Sequence, residues 1–302
     1  MECFSHTPVT QHSFNGILFY LKRDDLLHPD FSGNKARKLM ALMETPYPEI
    51  SHLLAYGSAQ ANSLVSFAAL AKLRGWQLEF YVDHIPSWLK ANPVGNYARA
   101  LQLGAKLIET RDSGLHPRDY IAQIRVPSDN CLFVPEGGRS PIAKQGVTAL
   151  ANEILDWQKQ NNIENLVVAL PSGTGTTAHY LHQTLKHTDI ELLTCACVSD
   201  LDYLKLQMRE LGATGYPTIL GSAKHHFGKL YRYEYLLWQS LCKQTGVEFE
   251  LLYDPWMWTN LLKHQEMLQN RTLLYIHQGG VLGNGSMQRR YMRKWPELMP
   301  NG

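Results

Sequence analysis

Short apolar runs and helical patterns alternate along this chain, and that alternation restricts its fold more than any other feature. Runs that read as buried strands are Leu53–Tyr56, Leu78–Val82, Lys106–Ile108, Cys131–Val134, Leu166–Leu170, Leu192–Val198 and Leu273–His277. Helical patterns lie between them over Asn62–Arg74, Gly95–Leu103, Ile142–Trp157, Thr177–Leu185, Leu201–Leu211, Tyr231–Thr245 and Trp258–Gln269. Gly75 and Gly104 stop the first two helices, and Ser199-Asp200 offers an N-cap to the fifth. Strand–helix–strand repetition predicts an α/β protein with parallel sheets covered by helices on both faces. Ligands of such sheets sit beyond the carboxyl ends of the strands, so the chemistry is to be sought in the loops there.

Length and charge narrow the reading further. The chain has 302 residues, enough for one large α/β unit or two lobes around a cleft. Pro86, Pro93, Pro117 and Pro127 break the first half most often, which suits lobe boundaries near residues 45–50 and 140–160, although composition alone fixes neither. With 29 basic and 27 acidic residues the net charge is +2, which gives no reason to expect nucleic acid or an anionic membrane as a partner. No run of 18 apolar residues is present, and Met1 to Thr10 lacks the basic-then-apolar pattern of a secretory signal. The five cysteines, Cys3, Cys131, Cys195, Cys197 and Cys242, read as reduced thiols of a cytoplasmic protein. Cys195 and Cys197 face one side of a strand, but without a second ligand pair they make no metal site; His225-His226 diverge as neighbours do, and no metal is expected.

Three loops carry the chemistry. In Phe31-Ser32-Gly33-Asn34-Lys35-Ala36-Arg37-Lys38-Leu39 a lysine stands where a tight turn enters a helix. The positive end of the helix dipole favours its neutral amine, the form that condenses with an aldehyde. Taken alone, the same stretch also suits an ordinary helix start with surface cations. Lys38, one turn on, is the rival amine. The strand Leu166–Leu170 empties into Pro171-Ser172-Gly173-Thr174-Gly175-Thr176-Thr177, where backbone N–H groups and hydroxyls suit a phosphate, although a glycine-softened turn has the same letters. It lacks the Gly-Lys-Ser/Thr ending of a nucleoside-triphosphate loop and the Gly-x-Gly-x-x-Gly of a dinucleotide loop. After another strand, Gly57-Ser58-Ala59-Gln60-Ala61-Asn62 opens a helix that Asn62 either caps or leaves for a planar ligand. Glu136-Gly137-Gly138 and His277-Gln278-Gly279-Gly280 let backbone approach a flat ring. Pyridoxal 5′-phosphate, with an aldehyde, a phosphate and a ring, satisfies all of these together.

These segments resemble, in order from about residue 20 to 285, the 1-aminocyclopropane-1-carboxylate deaminase and D-cysteine desulfhydrase family of pyridoxal-phosphate enzymes. Leu21-Lys22-Arg23-Asp24-Asp25-Leu26 and Ser32–Leu39 are similar to the family's Lys-Arg-Asp-Asp and Gly-Gly-Asn-Lys-x-Arg-Lys signatures. Gly57–Asn62, Gly95-Asn96 with Leu103-Gly104-Ala105, Glu136-Gly137-Gly138, Ser172–Thr177 and His277–Gly280 match its later loops. The resemblance implies the tryptophan-synthase-β-like fold, fold type II. It implies a large cofactor-binding lobe of residues 1–48 plus 141–302 and a small lobe of 49–140. It makes Lys35 the Schiff-base lysine and α-proton base, Asn62 the partner of the ring hydroxyl, and Ser172, Gly173, Thr174, Gly175, Thr176 and Thr177 the phosphate binders. Gln278 takes the place that meets the pyridine nitrogen. Ser58, Gln60, Ala61, Phe227 and Met257 take the substrate positions.

Departures from the pattern fall at the substrate. Ala61 replaces the family's serine, Met257 the tyrosine of its Asp-Pro-x-Tyr segment, Phe227 a second tyrosine, and Trp258 the glutamate of ring-opening members. A neutral Gln278 sustains a weaker electron sink than a carboxylate. Trp256 and Trp258 are either pocket wall or core. The resemblance therefore implies a lyase or deaminase of D-cysteine desulfhydrase type, yielding an α-keto acid and ammonia from a small amino acid, in a cytoplasmic homodimer. Ring opening of 1-aminocyclopropane-1-carboxylate, another fold-type-II activity, and non-catalytic cofactor binding are its alternatives.

Overall fold

The computed structural model describes residues 5–221 and 225–298; Cys3 lies outside them. The chain begins with a hairpin, β1 (Val9–Phe14) and β2 (Ile17–Lys22). Its turn is Asn15-Gly16, both at positive φ (49° and 83°), the backbone that a tight antiparallel turn requires. Helix α1 (Gly33–Glu44) follows, then β3 (His52–Tyr56), α2 (Asn62–Arg74), β4 (Gln77–Val82), α3 (Ser87–Ala91), α4 (Gly95–Gln102), β5 (Lys106–Glu109), α5 (Pro117–Tyr120) and β6 (Cys131–Phe133). The second half runs α6 (Ala143–Gln160), β7 (Leu166–Ser172), α7 (Thr176–Leu185), β8 (Glu191–Ala196), α8 (Leu201–Arg209), β9 (Thr218–Leu220), α9 (Arg232–Thr245), α10 (Asp254–Lys263), β10 (Thr272–Ile276) and α11 (Asn284–Lys294).

The strands form two sheets. One has six strands in the order β1-β2-β10-β7-β8-β9, the other four in the order β5-β4-β3-β6. Every pairing is parallel except β1 with β2, which puts one antiparallel strand at the edge of the larger sheet. Central β7 is buried at every position, as a strand covered on both faces must be.

Each sheet has its own core. Leu53, Leu64, Phe67 and Phe80 fill the smaller one. Beneath the larger sheet Trp258 is wholly buried, stacked on Tyr275 with ring centroids 5.1 Å apart and met edge-on by Phe14 and Phe19. Trp256 is buried too, its indole N–H on the Ala196 carbonyl at 3.1 Å. Both tryptophans are thus core. Helix α10 starts four residues before the predicted Trp258, because Pro255 suits the first helical turn. It ends at Lys263, and the rest of the predicted span is a short 3-10 turn, Gln265–Leu268.

Helix α1 joins the two halves. Leu39 and Leu42 pack in the small core, while Arg37 is sealed beneath the large sheet's edge. Its guanidinium grips Asp24 at 2.8 and 2.9 Å and Glu153 of α6 at 2.5 and 2.9 Å, and Lys22 Nζ reaches the same Glu153 at 2.6 Å. Where α1 crosses α6, a Cβ on Gly146 would lie 2.0 Å from the Arg37 carbonyl, so only glycine permits the crossing. The start of α1 is thereby held against the carboxyl ends of both sheets.

Candidate active site

A cavity of about 450 Å³ lies at those strand ends. Lys35, in the first turn of α1, lines it half-buried, and its Nζ donates to Asn34 Oδ1 at 3.0 Å. Burial lowers its amine to about 8, against the pull of the nearby Glu250 and Glu136 carboxylates. Lys38 lines the same cavity, and its Nζ donates to the Gly137 carbonyl. Burial, then the neighbouring Lys35, pushes its amine well below the ordinary lysine value. Two desolvated amines side by side cannot both stay charged without an anion between or beside them.

The anion-binding features lie opposite. Ser172, Gly173, Thr174, Gly175, Thr176 and Thr177 all line the cavity. Ser172 Oγ is engaged by Thr194 of β8 at 2.7 Å, and Thr174 Oγ1 by Thr176 Oγ1 at 2.9 Å. Thr177 Oγ1 is buried and has no hydrogen-bond partner among the described residues. An orphaned buried hydroxyl costs free energy unless a ligand meets it. The opening N–H groups of α7 point the same way with no intrahelical acceptor. A Cβ on Gly175 would sit 2.7 Å from Leu204 and 2.8 Å from Met208, so the loop closes tightly on α8. Hydroxyls, free N–H groups and a nearby buried lysine fit a phosphate.

Between these ends lie the flat-ligand loops. Ser58, Gln60, Ala61 and Asn62 border the cavity, with Gln60 Nε2 tied to the Val94 carbonyl at 3.0 Å. Asn62 does not cap α2; its amide points at Glu250. Gln278 also lines the cavity, and both ends of its amide are in use: Nε2 donates to Pro171 O at 2.6 Å, and Oε1 accepts from Asn34 Nδ2 at 2.7 Å. Phe227 stands half-exposed at the mouth, its ring 5.2 Å from that of Tyr253.

Met257 is a correction to the sequence reading. It is wholly buried in the core and does not border the cavity. Only the first turn of α10 reaches the cavity, and Met257 lies one turn, ~5.4 Å, further along between α9 and the sheet. Tyr253, just ahead of the helix, is the tyrosine that faces the cavity. Its ring packs on Gly173, where an added Cβ would be 3.4 Å away, and burial keeps its phenol protonated. Glu250 was not legible either. Its carboxyl, 3% exposed, is pushed up to about 8 by burial and then by Asp254. Glu136, an exposed residue at the cavity wall, is close enough to Lys35 to interact with its charge, and desolvation of its carboxyl raises it. Neither acid belongs to a spacing pattern, and only the three-dimensional fold brings them to the lysine.

Two largely parallel sheets that meet at the cavity, with a lysine at the head of one helix and a hydroxyl-rich loop at the head of another, have the tryptophan-synthase-β-like fold, fold type II. Among solved structures, one described as an ACC deaminase homologue superposes with a TM-score of 0.72 at 20% identity, covering 94% of this chain and 93% of that one. A Thermotoga maritima protein provisionally named 1-aminocyclopropane-1-carboxylate deaminase is 24% identical over 296 residues, covering 91% of this chain and 92% of its own. A rice protein provisionally named mitochondrial D-cysteine desulfhydrase 2 is 22% identical over 326 residues, covering 90% of this chain and 80% of its own. No family model matches the chain. Among the described residues no helix is long and apolar enough to cross a membrane, and no His, Cys, Asp and Glu cluster is suited to a metal ion.

Proposed function

We propose that the protein is a pyridoxal-phosphate-dependent lyase of small amino acids, of D-cysteine desulfhydrase type, removing an α-proton and a β-substituent. The observation that carries this reading is the desolvated Lys35 amine, lowered to about 8, in one cavity with the unpartnered Thr177 hydroxyl. Relatives with deaminase and desulfhydrase names, matched over about nine-tenths of this chain, support it. The cofactor, bound here, would draw electrons from the substrate's α-carbon.

The chain's residues supply the rest. Lys35 Nζ would hold the cofactor through its aldehyde, and its amine, lowered to about 8, is a base of suitable strength for the α-proton. Thr174, Thr176, Thr177 and the α7 N–H groups would hold the phosphate, with Lys38 as counter-charge. Asn62 would hold the ring hydroxyl, and Gln278, its amide already tied to Pro171 and Asn34, would offer its remaining N–H to the ring nitrogen's side. Tyr253 and Phe227 limit water at the open side. Ala61 carries no hydroxyl, and Trp258, in place of an acid, is buried in the core, so neither can assist cyclopropane opening. This favours β-elimination over the ring-opening alternative.

Incubation of the cofactor-loaded protein with D- and L-cysteine tests the reading. The expected products are sulfide, pyruvate and ammonia, with Lys35→Ala losing the visible cofactor band and at least ~10³-fold of the rate. A loaded protein that turns over neither enantiomer nor other β-substituted small amino acids would leave it a cofactor binder without this activity.

A further inference from the structure

Asn62 is held at both ends of its amide. Oδ1 accepts from Asn96 Nδ2 at 2.8 Å, and Nδ2 donates to Glu250 Oε1 at 3.2 Å. Asn96 cannot reverse, because its Nδ2 also donates to the Gln60 carbonyl at 2.9 Å; a flip would set oxygen against oxygen. Glu250 is equally fixed, its Oε2 accepting from the N–H groups of Leu252 at 2.7 Å and Tyr253 at 2.8 Å. Glycines make room for the Asn62 amide in this position: a Cβ on Gly280 would lie 2.7 Å from its Nδ2, and one on Gly283 3.0 Å from its Oδ1. Asn96 and Glu250 are 1% and 3% exposed, so water does not replace these partners.

We propose that Asn96 and Glu250 are positioning residues that lock the Asn62 amide so that it meets the cofactor's phenolic oxygen only as a donor, keeping that oxygen deprotonated. The proposal rests on the reading that pyridoxal phosphate is bound through Lys35. An amide has two N–H bonds and one carbonyl. With the carbonyl filled by Asn96 and one N–H given to Glu250, what Asn62 retains for a ligand is its second N–H. An oxygen facing it must accept, and an ionised oxygen accepts more strongly than a hydroxyl. The groups around Glu250 are Asp254 and Tyr253 of its own segment and Lys35 of α1. Oε1 accepts from Asn62 and Oε2 from Leu252 and Tyr253, so the oxygen that faces Asn62 is an acceptor.

E250Q tests the lock, since it keeps the side chain's size. The two backbone N–H groups retain the remaining oxygen, so the new NH2 opposes Asn62 Nδ2 and turns that amide, bringing its carbonyl to the cleft. Asn96→Leu releases the same amide from its other end and serves if E250Q does not fold. Wild type and variants are loaded with pyridoxal phosphate, the attached label is counted after borohydride reduction, and visible spectra are recorded. The expected result is a full label in each, with the ratio of the long-wavelength band (ionised ring oxygen) to the short-wavelength band falling about tenfold in the variants, equivalent to ~1.4 kcal/mol. Labelled variants whose spectra superpose on the wild type overturn the lock alone. A wild type that takes no label overturns the cofactor reading, and the lock with it.

Discussion

Lys35 is half-buried in the cavity, where its amine is desolvated, and among the described residues no carboxylate is hydrogen-bonded to that amine. Desolvation therefore dominates, and Glu250 and Glu136 soften it without cancelling it. The neutral amine is the nucleophile, so the rate of cofactor capture should climb with pH and flatten above about 8, where an ordinary lysine would still be gaining neutral amine up to 10.5. Stopped-flow absorbance across that range checks this. A rate still rising in proportion to hydroxide well above the plateau would mean that the reacting amine is not the desolvated one. The buried amine of Lys38 faces the opposite demand: a bound phosphate should restore its charge. Lys38→Met should therefore weaken cofactor binding by about 10–100-fold, on the scale of one desolvated charge-assisted hydrogen bond. Equilibrium dialysis of the cofactor measures that loss.

At the level of elements, the first turn of α1 is set by a close backbone contact. Gly33 has φ +62°, and a Cβ there would stand 1.8 Å from the Gln278 carbonyl, itself the acceptor for Asn34 N at 3.1 Å. Gly33→Ala should cost roughly 2–4 kcal/mol, combining left-handed strain with a backbone clash. Urea unfolding would show it as a lower midpoint at unchanged slope. Elements with a strong local signal were legible in the sequence. Helix α2 runs Asn62–Arg74 as read, because Gly75 takes φ 70° and ends it, and Asp200 caps α8 through a 2.9 Å bond to Tyr203 N. The strands buried on both faces read as apolar runs for the same reason. The hairpin β1–β2 was passed over although Asn15-Gly16 marks its turn and Ile17–Leu21 is an unbroken apolar run, because β1, with Thr10, Gln11, His12 and Ser13 at its centre, has none to pair with it. Helix α11 was missed because its polar residues outnumber the three it buries, Asn284, Met287 and Tyr291.

For the molecule as a whole, the Lys22–Glu153–Arg37–Asp24 cluster binds the start of α1 to the large sheet and α6. Arg37 and Lys22 hold the Glu153 carboxyl down at about 2, against 4.5 ordinarily, although burial alone would raise it. A depressed carboxyl binds fewer protons folded than unfolded. Its stabilisation is therefore complete above pH 4.5 and is lost as pH falls through about 2, on the order of 3 kcal/mol. Arg37→Leu should cost ~3–5 kcal/mol by stranding Asp24 and Glu153 and should move the acid-unfolding midpoint upward. Circular dichroism during acid titration would detect both effects. The candidate site was legible to the extent that its parts lie on loops at strand ends: Lys35, Asn62, Ser172–Thr177 and Gln278 share one cavity. Glu250 and Tyr253 were not, because the α9–α10 connection that carries them has no spacing pattern. Met257 was misplaced because the Asp-Pro pair marks the helix start without saying which turn reaches the cleft.

The most direct measurement is the site of covalent attachment. The protein is incubated with pyridoxal 5′-phosphate, reduced with borohydride, digested and sequenced by mass spectrometry. The account predicts one phosphopyridoxyl group per chain, on Lys35. A label on Lys38, labels scattered over surface lysines, or none at all would contradict it.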